Sequence, residues 1–352
     1  MSEPRGAHLV GSVNLADTET VLRTAAGVLG DRLRRIPDGE TGHRHYWIAF
    51  QPGVLETADG LERVGEPVDS TIHQDFRPLR IADGVRADDL RLPPLGYADA
   101  ALDSYAVFRR LRDEGIVPAG VRFQVSLPTP FAIVSAFIVP SDRAAFEPVY
   151  AAAMFAELDR ILAAIPHDDL AVQWDTAVEF QYIENLGYGN KSDDELGAWF
   201  DDVWTAVVAR ASEQLGHVPD DVEAGFHLCY GDVAEAHFVE PADAANLAEY
   251  ARRVLAAAPR RVDWFHLPVP IERDDAEYFA PLAALVPELA GTELHLGLVH
   301  REDGVAGARR RIDAALTHVP AFGVGTECGL GRAPAGTAAD ILAIHREVTA
   351  AW

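Results

Sequence analysis

The feature that most constrains this chain is a pattern that recurs eight times: a short apolar run, then a longer stretch with apolar residues at helical spacing. Strand side chains alternate with period two and helix side chains recur with period 3.6, so the two kinds of segment separate in the sequence. Ala7 to Val10 precedes Thr18 to Arg34, where Val21, Leu22, Ala25, Val28, Leu29 and Leu33 form one stripe. Leu33 to Pro37 precedes Ala98 to Glu114, Val121 to Leu127 precedes Arg143 to Ile165, and Leu170 to Asp175 precedes Asp193 to Leu215. Val222 to Cys229 precedes Ala242 to Ala258, and Val262 to Leu267 precedes Asp275 to Leu289. Glu293 to Val299 precedes Val305 to His318, and Phe322 to Thr326 precedes Ala338 to Ala350. Strands joined through helices run parallel and need helices over their faces, so eight units predict one α/β domain over residues 1–352, a (β/α)8 TIM barrel. The alternative is an open doubly wound sheet, but no Gly-x-Gly-x-x-Gly follows the first strand.

One connection breaks the rhythm. Residues 38–97 separate the second strand from its helix, far beyond the ~15 residues at which unstructured loops become uncommon. The segment holds Trp47, Phe50 and Phe76 among prolines and charges. It is expected to pack as a lid-like insertion over the C-terminal face of the barrel.

Charge and composition exclude several partners. With 30 basic against 55 acidic side chains the net charge is −25, which repels phosphate backbones and anionic lipid, so neither nucleic acid nor membrane is expected as a partner. No apolar run reaches the ~20 residues of a membrane helix. Met1 to Gly6 lacks the basic-then-apolar order of a signal peptide. Two distant cysteines, Cys229 and Cys328, then read as free thiols in a reducing cytoplasm.

Polar residues gather where barrels of this kind carry their chemistry, at the C-terminal ends of the strands. Ser12 follows the first strand, Asp38 and Glu40 the second, and Asp175 and Glu179 the fourth; His227 and Cys229 close the fifth and His266 lies in the sixth. His300 follows the seventh, and Glu327, Cys328 and Arg332 follow the eighth. His-x-Cys on a strand sends both side chains to one face, which is half of a metal site. A second thiolate from a distant strand end makes three soft or borderline ligands, the complement of an open zinc site. As small buried hydrophobes, the two cysteines would need no metal. Asp175 and Glu179 also read as helix N-terminal carboxylates or ion-pair partners. Trp174 and Tyr230 read either as pocket lining or as barrel filling.

These motifs resemble the uroporphyrinogen decarboxylase and cobalamin-independent methionine synthase superfamily, and within it the catalytic C-terminal barrel of the synthase. The resemblance rests on Val10-Gly11-Ser12, Asp38-Gly39-Glu40, Gln173-Trp174-Asp175 with Glu179, His227-Leu228-Cys229-Tyr230, His300, and Glu327-Cys328-Gly329-Leu330 with Arg332. It spans nearly the whole chain in the family order, and His-x-Cys-Tyr and Cys-Gly-Leu are its specific elements. The resemblance implies His227, Cys229 and Cys328 as ligands of Zn2+, Asp175 as the acidic residue near the electrophile, His300 as the proton-handling histidine, and Ser12 and Glu40 as a cradle for the thiol substrate. Asp38, Glu179, Trp174, Tyr230 and Arg332 complete the expected substrate-binding set. The synthases place a glutamate ligand at the end of the sixth strand, where this chain has Pro268. His266, two residues earlier on the same face, is then a candidate fourth ligand, or a histidine held by hydrogen bonds behind the site.

The expectation is a zinc-dependent enzyme that activates a small-molecule thiol and transfers an alkyl group, methyl or related, between an alkyl-donor co-substrate and sulfur, in either direction. A homo-oligomer is compatible with it. The alternatives are a metal-free lyase or hydrolase of the same superfamily using His and Asp acid–base chemistry, and a non-catalytic binding barrel.

Overall fold

Seven parallel strands stand side by side in sequence order: β1 (Arg35–Pro37), β4 (Arg122–Pro128), β5 (Leu170–Thr176), β6 (Glu223–Leu228), β7 (Trp264–Pro268), β8 (Glu293–Val299) and β9 (Gly323–Thr326). β2 (Leu61–Arg63) and β3 (Leu79–Ile81) form a separate antiparallel hairpin. The structure is a computed structural model and describes residues 3–66, 74–185, 197–231 and 237–352. The expected start of one helix at 193–196 and part of the insertion at 67–73 lie outside the described residues.

The sheet is curled. Ala7 bridges in parallel both to Leu33, just before β1, and to Val324 in β9, and one residue reaches both edges only if the edges approach each other. Ala7 N donates to Arg32 O at 2.9 Å, while His8 N donates to Val324 O, also at 2.9 Å. Further along, Val13 N donates to Gly39 O at 2.9 Å, and Ser12 O accepts from Leu330 N at 2.7 Å. The sequence expectation of a regular first strand over Ala7 to Val10 is corrected here: these contacts are isolated bridges. Gly6 at φ +79 separates the Arg5 bridge to Ala350 from the Ala7 bridges, so these do not join into one ladder.

Both faces of the sheet are covered, and every residue of β5 and β7 is buried, as expected for parallel strands under helices. Alternation sends Trp174, Phe226 and Phe265 outward. Trp174 meets Phe155 of the helix Arg143–Ala164 edge-on at 6.3 Å, and Phe226 lies 6.4 Å from Tyr250 of the helix Ala245–Ala257. The inward face is unusually polar. His8 stacks on His295 at 4.8 Å and on His266 at 5.3 Å. Below them Arg35 lies over Trp264 and bonds Glu223 at 2.6 Å and Glu293 at 2.8 Å.

Helices follow the predicted pattern with instructive departures. The first, Thr18–Leu29, is capped by Asp17 and stops five residues early at Gly30. Two short helices were not foreseen, Pro130–Phe137 and Val178–Ile183, each directly after a strand. Among the described residues, the helix expected up to Leu215 runs from Val203 to Gly216, and Asp202 accepts from Thr205 N at its start. The stretch from Asp275 to Leu289 is broken into Ala276–Phe279, Leu282–Leu285 and a 3-10 turn Val286–Leu289, because Pro281 and Pro287 lack the N–H that a continuous helix needs.

The insertion divides its contacts. Gln51 is fully buried, donates to Leu95 O at 3.0 Å and accepts from Tyr150 OH at 2.9 Å. The hairpin leans outward on the helix Pro130–Phe137 and the turn after it: Phe76 stacks on Phe137 at 6.4 Å, and Ile81 N donates to Asp142. Among the described residues of the insertion, the stretch from Asp38 to Trp47 reaches the strand ends, where Arg44 pairs with Asp38 and the Trp47 indole acts on Asp175.

Candidate functional site

His227 is the penultimate residue of β6, and Cys229 follows one residue after its end. Because side chains alternate, Leu228 turns into the apolar layer while the imidazole and thiol share the inner face. The ladder still holds at that point, since Cys229 N donates to Thr176 O at 2.9 Å. Cys328 comes from the turn after β9, which Thr326 closes by donating its hydroxyl to Cys328 O at 2.6 Å. The two sulfurs lie 3.6 Å apart, and Cys328 Sγ is 3.7 Å from His227 Nε2. All three ligand atoms fall within 4.8 Å of one another.

The two edges at Cys328 fit a tetrahedral metal. Zn–S bonds of roughly 2.3 Å and Zn–N bonds of roughly 2.0–2.1 Å place neighbouring ligand atoms about 3.5–3.8 Å apart. The donor set of one imidazole and two thiols is that of a zinc site rather than a calcium or magnesium site. Gly231 N donates to Cys229 Sγ at 3.3 Å. The Cys229 thiol is held well below its ordinary value, by the Cys328 thiol first and by His227, against the opposing effect of burial.

His266 lies outside this triangle of ligand atoms. Parallel register sets it beside His227, and its Nδ1 lies 2.8 Å from His227 Nδ1, on the side of the ring away from the sulfurs.

Asp175 is buried on β5 and joins the sulfur site to a second polar group. Gln173 donates to Asp175 Oδ1 at 2.8 Å and to Val10 O at 2.6 Å, while its own carbonyl lies 2.8 Å from His8 Nε2. Burial raises the Asp175 carboxyl well above its ordinary range, and Glu40 and Cys229 add to that effect. Glu40, also buried, is pushed up to about 7 by burial first, with Asp38 opposing the pull of Arg44 and Arg332. Glu40 sits at φ +49 and Trp47 at φ +52; such left-handed backbone in non-glycine residues costs of order 1–3 kcal/mol each and concentrates at functional sites.

Asp38 holds the cradle together. It accepts from Glu40 N at 2.9 Å, from Ser104 Oγ at 2.8 Å and from Arg44 at 2.5 Å. Burial alone would raise its carboxyl, and Arg44 brings it below the ordinary value. Arg332 donates to Ser12 Oγ at 3.2 Å. The Cys328–Arg332 turn wraps Ser12 so closely that a Cβ on Gly329 would collide with Ser12 Oγ.

His300 donates through Nε2 to Val269 O at 2.9 Å and is brought down to about 4 by burial and then by Arg311, so it is neutral. Its Nδ1 lies 3.8 Å from Glu327. The other oxygen of Glu327 is 2.8 Å from His237 Nε2, a residue that sequence reasoning missed because no periodic element carries it. Arg44 was missed likewise, and His8 because it lies in an apolar run.

Three expected site residues lie elsewhere. Trp174 is fully buried on the outward face, where alternation from Asp175 puts it. Glu179 accepts from Thr129 Oγ1 at 2.6 Å and interacts with Tyr250 in the helix–sheet layer; burial pushes it up to about 7. Tyr230 is fully buried against Phe180 and donates to Glu184 at 3.2 Å.

The sequence matches no known protein-family description and no curated protein. Among solved structures, a B12-independent methionine synthase from Shewanella sp. W3-18-1 in complex with selenomethionine matches 98% of this chain and 96% of its own at 14% identity, with a TM-score of 0.58. A candidate vitamin-B12-independent methionine synthase from Listeria monocytogenes matches 99% and 98% at 17% identity and TM-score 0.60. A methyltransferase from Methanosarcina mazei matches 99% and 94% at 9% identity and TM-score 0.54. At these identities, what the chain shares with all three is the fold over its whole length.

Proposed function

We propose that this chain is a cytoplasmic zinc-dependent enzyme that activates a small-molecule thiol and moves an alkyl group, methyl or related, to or from its sulfur. The observation that carries this reading is the buried triangle of His227, Cys229 and Cys328, whose edges of 3.6 and 3.7 Å suit one zinc ion. Solved methionine synthase and methyltransferase structures of the same fold support it. Bound there, zinc would keep a substrate thiol deprotonated near pH 7, where a free thiol of pKa about 8.5 is mostly protonated. His227, Cys229 and Cys328 are three protein ligands, which leaves a position for substrate sulfur.

The rest of the work falls to the chain's own groups. Ser12, Glu40 and Arg332, braced by Asp38 and Arg44, form the cradle for the polar part of the thiol substrate. Asp175 stands between that cradle and the sulfurs, oriented by Gln173 to face the alkyl-donor co-substrate. Neutral His300, anchored through Nε2, keeps Nδ1 free for a proton. Residues 5–13 serve as the eighth stave of a closed barrel in a single domain, and the Asp38–Trp47 part of the insertion acts as the lid. Among the described residues no helix is long and apolar enough to cross a membrane.

The test is zinc analysis of the purified chain together with thiol-alkylation assays across methyl and epoxide-type donors. One equivalent of zinc that is lost in Cys229→Ser, with activity, supports the proposal. Full activity in a zinc-free protein instead favours a metal-free lyase or hydrolase.

A further inference from the structure

His227 has two ring nitrogens, and each faces a different partner. Nε2 faces Cys328 Sγ at 3.7 Å. Nδ1 faces the Nδ1 of His266 at 2.8 Å, with both rings buried. At that separation one proton lies between the two nitrogens, one ring donating and the other accepting.

The direction of that bond decides whether the site can take a cation. If His227 donates from Nδ1, its Nε2 carries a lone pair toward the cysteines. If it accepts, Nε2 carries hydrogen and blocks the corner. The surroundings of His266 choose between these. Its far nitrogen, Nε2, makes no hydrogen bond among the described residues and faces the Gly325–Thr326 backbone, so closely that a Cβ at Gly325 would stand 2.7 Å from it. The space that Gly325 leaves admits hydrogen on that nitrogen, with Nδ1 left to accept; a cation at His227 Nε2 requires the same arrangement, because the coordinating nitrogen must keep its lone pair. Stacking on His8 at 5.3 Å and 28° holds the plane of the ring.

We infer that His266 is a positioning residue for the metal site: by accepting from His227 Nδ1–H it fixes the tautomer that presents His227 Nε2 to zinc. This inference rests on the zinc reading above and adds a role for His266 distinct from ligation. A histidine ligand that loses such a partner typically costs 10–100-fold in metal affinity. Glycine at 325 is then required for a second reason, since it leaves room for the ring that sets the tautomer.

The experiment has two arms. In the first, zinc affinity is measured by chelator competition for the wild-type chain and for His266→Leu, His266→Asn and Gly325→Ala, with circular dichroism to verify folding. His266→Leu is expected to weaken zinc roughly 10–100-fold, His266→Asn to recover most of it through an acceptor oxygen, and Gly325→Ala to weaken it by displacing the ring. In the second, long-range nitrogen–proton NMR on histidine-labelled, zinc-free protein reads the tautomers. Hydrogen on Nδ1 of His227 and on Nε2 of His266 supports the inference. Wild-type affinity in His266→Leu, or hydrogen on Nε2 of His227, overturns it. A wild-type chain that binds no zinc overturns the metal reading, and the NMR arm still decides the tautomer.

Discussion

Cys229 Sγ and Cys328 Sγ lie 3.6 Å apart, although 99 positions separate them in the chain. Their approach depends on β6 and β9 ending at the same mouth of one curled sheet, and no disulfide joins them. Replacing either by serine removes a soft ligand from a three-ligand set. Zinc stoichiometry by atomic absorption is expected to fall from one to near zero in Cys229→Ser and Cys328→Ser; retention of a full equivalent in both would mean the metal sits elsewhere.

Arg332 and Ser12 predict a binding defect rather than a chemical one. Arg332→Met removes the donor to Ser12, and Gly329→Ala displaces the Ser12 hydroxyl. Interactions made equally in ground and transition states change KM and leave kcat alone. Steady-state kinetics of both variants should show KM for the thiol raised roughly 10-fold or more, the size of one lost hydrogen bond to a charged group, with kcat within about a factor of three.

Glu40 sets a pH dependence whose sign is fixed by its burial. Its folded value near 7 exceeds the ordinary 4.5, so between these values the unfolded chain holds fewer protons than the folded one. The stabilising contribution of the protonated group is complete below about 4.5 and is lost as pH rises through about 7. Urea titrations from pH 5 to 8 should show a fall that is flattened in Glu40→Gln.

His237 has the opposite chemistry and the same sign. Burial opposes its charge, but Glu327 overrides burial and raises it to about 9. Glu327 itself is raised, because burial outweighs the pull of His237. The stability His237 contributes is present below about 6.5 and lost as pH rises through about 9. In zinc-free protein its ring carbons, followed by NMR, should titrate above pH 8; a midpoint near 6.5 would show that the pair does not form.

Trp174 separates packing from binding. The ring lies between β5 and the helix Arg143–Ala164, so Trp174→Ala is expected to lose ~3–5 kcal/mol of stability, as large core truncations do. Trp174→Phe should retain wild-type KM values for both substrates. A selective KM change in Trp174→Phe would return this residue to the pocket.

Much of this site was legible in sequence because period-two alternation is strict. His-x-Cys shares a face wherever β6 lies, and the same rule would have turned Trp174 away from Asp175. The helix of Glu179 carries too little periodicity in its six residues to be delimited, and the reading of Glu179 as a helix N-terminal carboxylate was its one signal. The proline breaks at 281 and 287 were written in the sequence, and the stripe of apolar residues outweighed them. His8 and His295 gave no signal, since a histidine in an apolar run reads as a core residue until the curl of the sheet stacks it on another. His237 and Arg44 reach the site from irregular backbone, where only three-dimensional proximity reveals a partner.

The most direct measurement is anomalous X-ray scattering at the zinc edge from crystals of the purified chain. A single strong peak bonded to His227 Nε2, Cys229 Sγ and Cys328 Sγ, with His266 behind His227, is the expected result. A featureless map with the two sulfurs apart, or joined as a disulfide in active enzyme, would contradict it.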